Sequence, residues 1–232
     1  NQSIALARAG AEVFHAGCIG EDGQMLRKLL RDSGVNLKYL KTVENRTGQA
    51  VIQVDAHGEN SILLYSGANY AVTRDYIDEV LNDFSAGDFL LIQNEISELP
   101  YLIEMAYAAG MRIIFNPSPF QQTLRNIDLN QVSYLILNEI EAEGFSGLSE
   151  PEEFLIWSRM NYPNTRVILT LGKNGSIYFD GQTRIKQNAF CVKAVDTTAA
   201  GDTFTGYFAA GIFSGKSVEK SLRLASCALP SC

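Results

Sequence analysis

Histidine is nearly absent from this chain of 232 residues: only His15 and His57 occur, on separate segments. That excludes histidine-rich zinc sites and the paired-histidine helix of zinc proteases, which need two imidazoles one turn apart. The four cysteines, Cys18, Cys191, Cys227 and Cys232, are scattered with no C-x-x-C pair. Neither a disulfide framework nor a zinc ribbon follows, and they read as small core residues in a reducing, cytoplasmic setting. No apolar run approaches the roughly 18 residues a membrane helix requires, and no signal-like segment opens the chain. Positive charge is in deficit, with 19 Lys+Arg against 26 Asp+Glu. An acidic chain repels nucleic-acid backbones and anionic lipid, so neither class of partner is expected. Repeats, low-complexity tracts and Pro- or Ser-rich linkers are also lacking, which leaves one domain over residues 1–232.

What is present is a core and a rhythm. Hydrophobic residues make up 46% of the chain, enough for a sizeable interior. Apolar runs of strand length recur at Val13–Ala16, Phe89–Gln93, Arg112–Phe115, Tyr134–Leu137, Val167–Leu171 and Ser176–Phe179. Several are almost continuously apolar, as strands buried on both faces must be. Helical patterns lie between them, near 22–32, 74–83, 98–109, 151–160, 201–213 and 217–228. Ser149 with Glu152 has capping-box spacing, Gly110 ends a helix, and Ser217 can cap the last one. This alternation predicts an α/β fold: a mainly parallel central sheet with helices on both faces. Thr47–Asp55 and Asn60–Ser66 depart from it. They read as a hairpin turning at His57-Gly58, part of a small antiparallel β lid over 35–66 that stands off the main sheet.

Four places could carry chemistry. The first is Asp196–Gly206, D-T-T-A-A-G-D-T-F-T-G, after the strand-like Phe190–Val195. Ala199, Ala200 and Gly201 allow a tight turn into a helix whose N-terminal amides suit an anion such as phosphate. Asp202 follows in the first helical turn, where it could take the proton of a hydroxyl attacking phosphorus. It could equally complement the helix dipole, with Asp196 as a cap. Asn138 and Glu141, three residues apart where strand meets helix, could hold water, Mg²⁺ or phosphate oxygens, or simply form a helix cap. Thr170–Gly175 could cradle a nucleotide or be an ordinary hairpin turn. Glu95, at a strand end, could bind sugar hydroxyls or face solvent. Gly211–Ser217 imitates a phosphate-binding loop but follows a helix and is one residue short, so a helix end and a Ser cap explain it better. Gly17, Gly20 and Gly23 have the wrong spacing for a dinucleotide fingerprint.

The order of motifs is more specific than any one of them. An opening Asn-Gln helix, G-C-I-G-E-D-G, T-G-Q-A-V-I, G-A-N, F-N-P-S-P, N-E-I-E, T-L-G-K-N-G and D-T-T-A-A-G-D-T-F-T-G follow one another. This succession resembles the ribokinase family of carbohydrate kinases (PfkB type) over essentially the whole chain. The resemblance implies a three-layer α/β sandwich with a β lid that also pairs a homodimer. It implies an ATP-dependent sugar kinase acting on a primary hydroxyl, that of ribose first. Fructose, a ketogluconate, a nucleoside or a non-catalytic binding module are the alternatives. Asp202 matches the family's base, and the amides of Ala199, Ala200 and Gly201 its anion hole. Asn138 and Glu141 match the motif organising Mg²⁺, through water, and the ATP phosphates; Thr170, Gly172 and Gly175 match the nucleotide segment. Asn1 and Glu95 match sugar-binding positions, and Asp196 and Thr198 part of a monovalent-cation (K⁺) site. Measured against the family, the chain reads as cut at both ends, without the opening strand and the part completing the adenine pocket.

Overall fold

The structure, a computed structural model, describes residues 1–54, 60–190 and 199–229. The chain opens with α1 (Gln2–Arg8), β1 (Gly17–Ile19), α2 (Gln24–Asp32) and β2 (Leu40–Thr42). The hairpin strands β3 (Gln49–Val54) and β4 (Asn60–Tyr65) follow, then α3 (Arg74–Leu81), β5 (Phe89–Gln93), α4 (Leu99–Ala108) and β6 (Arg112–Asn116). Next come β7 (Tyr134–Asn138), α5 (Glu139–Ser146), α6 (Pro151–Asn161), β8 (Arg166–Thr170), β9 (Ser176–Phe179) and β10 (Arg184–Gln187). Two helices, α7 (Ala200–Phe213) and α8 (Val218–Cys227), close the described chain.

The main sheet has six strands in the order β10-β9-β8-β7-β6-β5. Strands β5 to β8 are parallel, and β9 and β10 join antiparallel. Alternation along each strand divides the apolar side chains between two helix layers. Ile113, Phe115, Leu135, Leu137, Val167 and Leu169 pack with Ile103, Phe145 and Phe154 from α4, α5 and α6. Ile114, Ile136, Ile168 and Tyr178 face the other way, onto Leu6, Phe204, Phe208 and Leu222 from α1, α7 and α8. The three-layer α/β sandwich is therefore present, with both sheet faces dry.

Strands β3 and β4 form their own two-stranded sheet, apart from the main one, as expected of a lid. Its base is latched: Thr47 donates from its amide and its hydroxyl to Asp22 Oδ1, at 2.9 and 2.7 Å. Those bonds hold the Asp22 carboxyl below its ordinary range. Residues 36–42 do not join the hairpin. They run beside residues 14–19, through a Phe14–Asn36 bridge and the parallel β1–β2 pair. The His57-Gly58 turn lies outside the described residues.

Three expectations shift. Val13–Ala16 is not a strand, because its pairing is a single bridge from Phe14 to Asn36; strand geometry begins only at Gly17. The Ser149/Glu152 capping box does not form. Glu150 is the N-cap, because Pro151, with its fixed φ, takes the first helical position. Of Phe190–Val195 only Phe190 is described, without strand geometry. Other end signals hold: the Ser217 side chain accepts the Lys220 amide, and Gly110 terminates α4 at φ 75°. Cys18 is buried and Cys227 exposed, while Cys191 and Cys232 lie outside the described residues.

Candidate active site

Helix α7 begins at a strained point. Ala199, its N-cap, has φ 62° and ψ 13°, a left-handed conformation that costs an L-residue about 1–2 kcal/mol. Only Glu98 shares a positive φ among the described non-glycine residues. The first amides of α7 have no partner within the helix, and a Cβ built on Gly201 would meet nothing within 4 Å. A helix N-terminus with open space before it suits an anionic group.

Asp202 sits in that first turn, held by two amides. Asn1 Nδ2 donates to its Oδ2 at 2.9 Å and Gln2 Nε2 to its Oδ1 at 3.1 Å. Asn1, expected to hold sugar, is thus bound to Asp202 in this structure. Glu95 lies close enough to be affected by Asp202: burial first, and then the Asp202 charge, push its carboxyl above the ordinary range. The structure therefore brings Asn1, Glu95, Asp202 and the Ala199–Gly201 turn to one corner, at the carboxyl ends of the parallel strands. Ligands bind at that edge in open α/β sheets.

A cleft of about 670 Å³ runs from this corner between the outer edge of β5 and residues 13–17. Leu6 and Phe213 line one side and Ile77 and Leu102 the other, so its walls are the two helix layers. His15 also lines it, hydrogen-bonded through Nδ1 to Ser3 Oγ at 2.8 Å; burial lowers its pKa.

Asn138 and Glu141 form a full capping box at the start of α5. Asn138 Oδ1 accepts the Glu141 amide, and Glu141 Oε2 accepts the Asn138 amide, each at 2.9 Å. The spacing thus closes a helix, the plainer of its two sequence readings, and also leaves a buried carboxylate at the sheet edge. Burial raises the Glu141 pKa, against which the Asn138 amide and Ser118 hydroxyl act. Thr170 ends β8, and its hydroxyl donates to the Leu137 carbonyl at 3.3 Å. Gly172 and Gly175, at φ 52° and 90°, shape the turn into β9. That turn closes a hairpin through the Leu171 amide and Gly175 carbonyl, at 2.8 Å. Asp196 and Thr198 lie outside the described residues.

Gln2, Gln93 and Asn116 were missed in the sequence. Gln93 and Asn116 are paired residues at the ends of β5 and β6, and both belong to the hydrogen-bond system behind Asp202. A signal existed: F-L-L-I-Q, R-I-I-F-N and Y-L-I-L-N are apolar strands that each end in an amide.

A carboxylate beside an open helix N-terminus, at the carboxyl edge of a parallel sheet, is a geometry for transferring a charged group to a hydroxyl. Comparison with known proteins places it more closely. The profile of the pfkB family carbohydrate kinases matches residues 1–228. The chain is 33% identical to a ribokinase of Haemophilus influenzae, with 98% of this chain and 77% of the relative covered. It is 34% identical to a ribokinase of Bacillus subtilis, at 97% and 76% coverage. Among solved structures, a ribokinase of Arabidopsis thaliana complexed with ribose and ATP superposes with a TM-score of 0.83 at 30% identity, covering 98% of this chain and 78% of that one. The chain belongs to the pfkB family of carbohydrate kinases.

Proposed function

We propose that the protein transfers the γ-phosphoryl group of ATP to a primary hydroxyl of ribose, giving ribose 5-phosphate and ADP. The observation that carries this is Asp202 in the first turn of α7, three residues after the strained Ala199. In the proposed step Asp202 takes the hydroxyl proton while the alkoxide oxygen forms its bond to phosphorus and the bond to the ADP oxygen breaks. The amides of Ala199, Ala200 and Gly201 would face the charge on the transferred group, where preorganised donors count most. Glu95 and Asn1 would hold sugar hydroxyls. Thr170, Gly172 and Gly175 would line the nucleotide.

Among the described residues no cluster of three or more His, Cys, Asp or Glu side chains could hold a metal. Glu141, with its carboxyl already accepting the Asn138 amide, fits Mg²⁺ through water rather than directly. Mg²⁺ held there through water would supply charge neutralisation for the ATP phosphates. We place K⁺ near Asp196 and Thr198. We also propose a homodimer through the lid: Val51, Leu63 and Leu64 are exposed on β3 and β4, and a second copy would cover them. No described helix is long and apolar enough to cross a membrane.

A coupled assay of ADP release from the intact enzyme, with ribose, fructose and adenosine in parallel, tests the acceptor. The expected result is the highest kcat/KM with ribose. Preference for either other acceptor would replace it, and no sugar-dependent release at all would reject a kinase.

A further inference from the structure

A base that must meet one hydroxyl hydrogen needs its carboxylate plane fixed, and the structure shows what fixes it. We infer that Gln2 and Asn116 are positioning residues for Asp202, forming a relay that carries the rigidity of the sheet to the base. The inference deepens the phosphoryl-transfer reading above and rests on it.

The Gln2 side chain, only 8% exposed, has its nitrogen 3.1 Å from Asp202 Oδ1 and 3.1 Å from Asn116 Oδ1. Both of its hydrogens are therefore used, and it cannot turn without losing one bond. Asn116 is oriented independently. Its Nδ2 donates to the Ile136 carbonyl at 2.8 Å, which forces Oδ1 towards Gln2, and Gln93 Nε2 donates to the same oxygen at 2.9 Å. The β6–β7 ladder ends at Phe115 and Leu135. One residue on, the Asn116 side chain takes the Ile136 carbonyl in place of a backbone amide. The relay thus runs from the backbone of β7, through Asn116 and Gln2, to Asp202, with Gln93 of β5 bracing it. Asn1 holds the other carboxylate oxygen from the same first turn of α1. Rotation of the carboxylate about its terminal bond would break both donors at once. Misplacing a reacting group by about 1 Å can cost about 10²-fold in rate, so fixing this plane has kinetic value.

The test compares Gln2→Met, which keeps the length and removes the donor, with Asn116→Ala and the double variant in the intact enzyme. For Gln2→Met the expected result is a fall in kcat of about 10²-fold with KM for ATP and for the sugar within about twofold. If Asn116 acts through Gln2, the double variant loses no more than about twofold beyond Gln2→Met alone. A second readout needs no turnover. In the ¹⁵N spectrum the Gln2 side-chain amide should give two dispersed, exchange-protected protons, which Asp202→Ala and Asn116→Ala each displace. A parent without sugar-dependent turnover but with that spectrum would reject the proposed function and keep the relay. Turnover of Gln2→Met within threefold of the parent, independent losses in the double variant, or a Gln2 amide indifferent to Asp202→Ala would each overturn the relay.

Discussion

Gly206 stands where a Cβ would fall 2.5 Å from the Ala5 Cβ and 3.0 Å from the Gln2 carbonyl oxygen. Helix α1 can lie directly on α7 only because residue 206 has no side chain. Gly206 is also one turn after Asp202, on the same face of α7. The close approach that excludes a methyl group at Gly206 is therefore what brings Gln2 and Asn1 up to Asp202. Gly206→Ala should separate the helices, costing about 1–3 kcal/mol of stability as overpacking does. It should also lower kcat more than KM. Thermal denaturation and steady-state kinetics check this; an unchanged Tm with full turnover would show that the close approach is incidental.

The β8–β9 turn makes a second demand on glycine. A Cβ on Gly175 would sit 2.0 Å from the Gln187 carbonyl oxygen and 2.7 Å from the Ala189 amide nitrogen, both backbone atoms that no rotamer change can move. Its φ of 90° with ψ of −134° lies in a region essentially restricted to glycine, which adds a penalty of about 1–3 kcal/mol for any L-residue. Gly175→Ala should therefore destabilise by more than that penalty and weaken ATP binding with it. Urea denaturation and nucleotide titration report the two effects. Loss of stability with unaltered ATP affinity would remove the turn from the nucleotide site.

Glu95 gives a pH signature. Its carboxyl has a raised pKa in the fold, chiefly from burial and then from Asp202. The folded state therefore binds the proton more tightly than the unfolded state does. This group's contribution falls as pH rises from the ordinary glutamate range through the raised value, and is least favourable at neutral pH. Glu95→Gln should raise Tm at pH 7, with the gain shrinking as pH falls through the raised value towards about 4.5, the group's unperturbed value. It should also raise KM for the sugar. Thermal melts across pH 4 to 8 follow the first effect, and a Tm at pH 7 equal to or below that of the parent contradicts the burial argument.

Much of this architecture was legible because parallel strands buried on both faces have no polar side. Phe89–Gln93 and Ser176–Phe179 have in the structure the bounds read from their apolar runs. β10 went unread because R-I-K-Q turns only alternate residues inward, at the sheet edge. β1 and β2, three residues each, are too short to set up a period. At the site, Asp202 and the small residues before it were legible because tight turns and helix N-termini restrict residue type. Asn138 and Glu141 were legible as a pair with two readings left open, since the same spacing serves a cap and a ligand. The pairing of Gln2 with Asn116 was invisible for a different reason: it depends on their meeting across 114 positions of chain, which no local pattern encodes.

The lid carries apolar residues on both faces: Val51 pairs with Leu63 on one, and Leu64 lies on the other opposite Ala50. Leu63 is 68% exposed and Leu64 48%. If a second copy covers this surface, Leu64→Lys should convert a dimer to a monomer at micromolar concentration while leaving Tm of the isolated fold close to the parent's. Light scattering decides it: a parent that is already monomeric would reject the dimer.

The central claim is that Asp202 removes the proton of the attacking hydroxyl, and rapid-quench single turnover tests it most directly. With ATP and ribose saturating, Asp202→Asn should form ribose 5-phosphate about 10²- to 10⁴-fold more slowly than the parent, the usual cost of losing a positioned base. Affinities for ATP and ribose, measured by calorimetry on the same preparations, should stay within about twofold, because the Asn amide fills the same space. Phosphoryl transfer in Asp202→Asn within tenfold of the parent, at those affinities, would contradict the account.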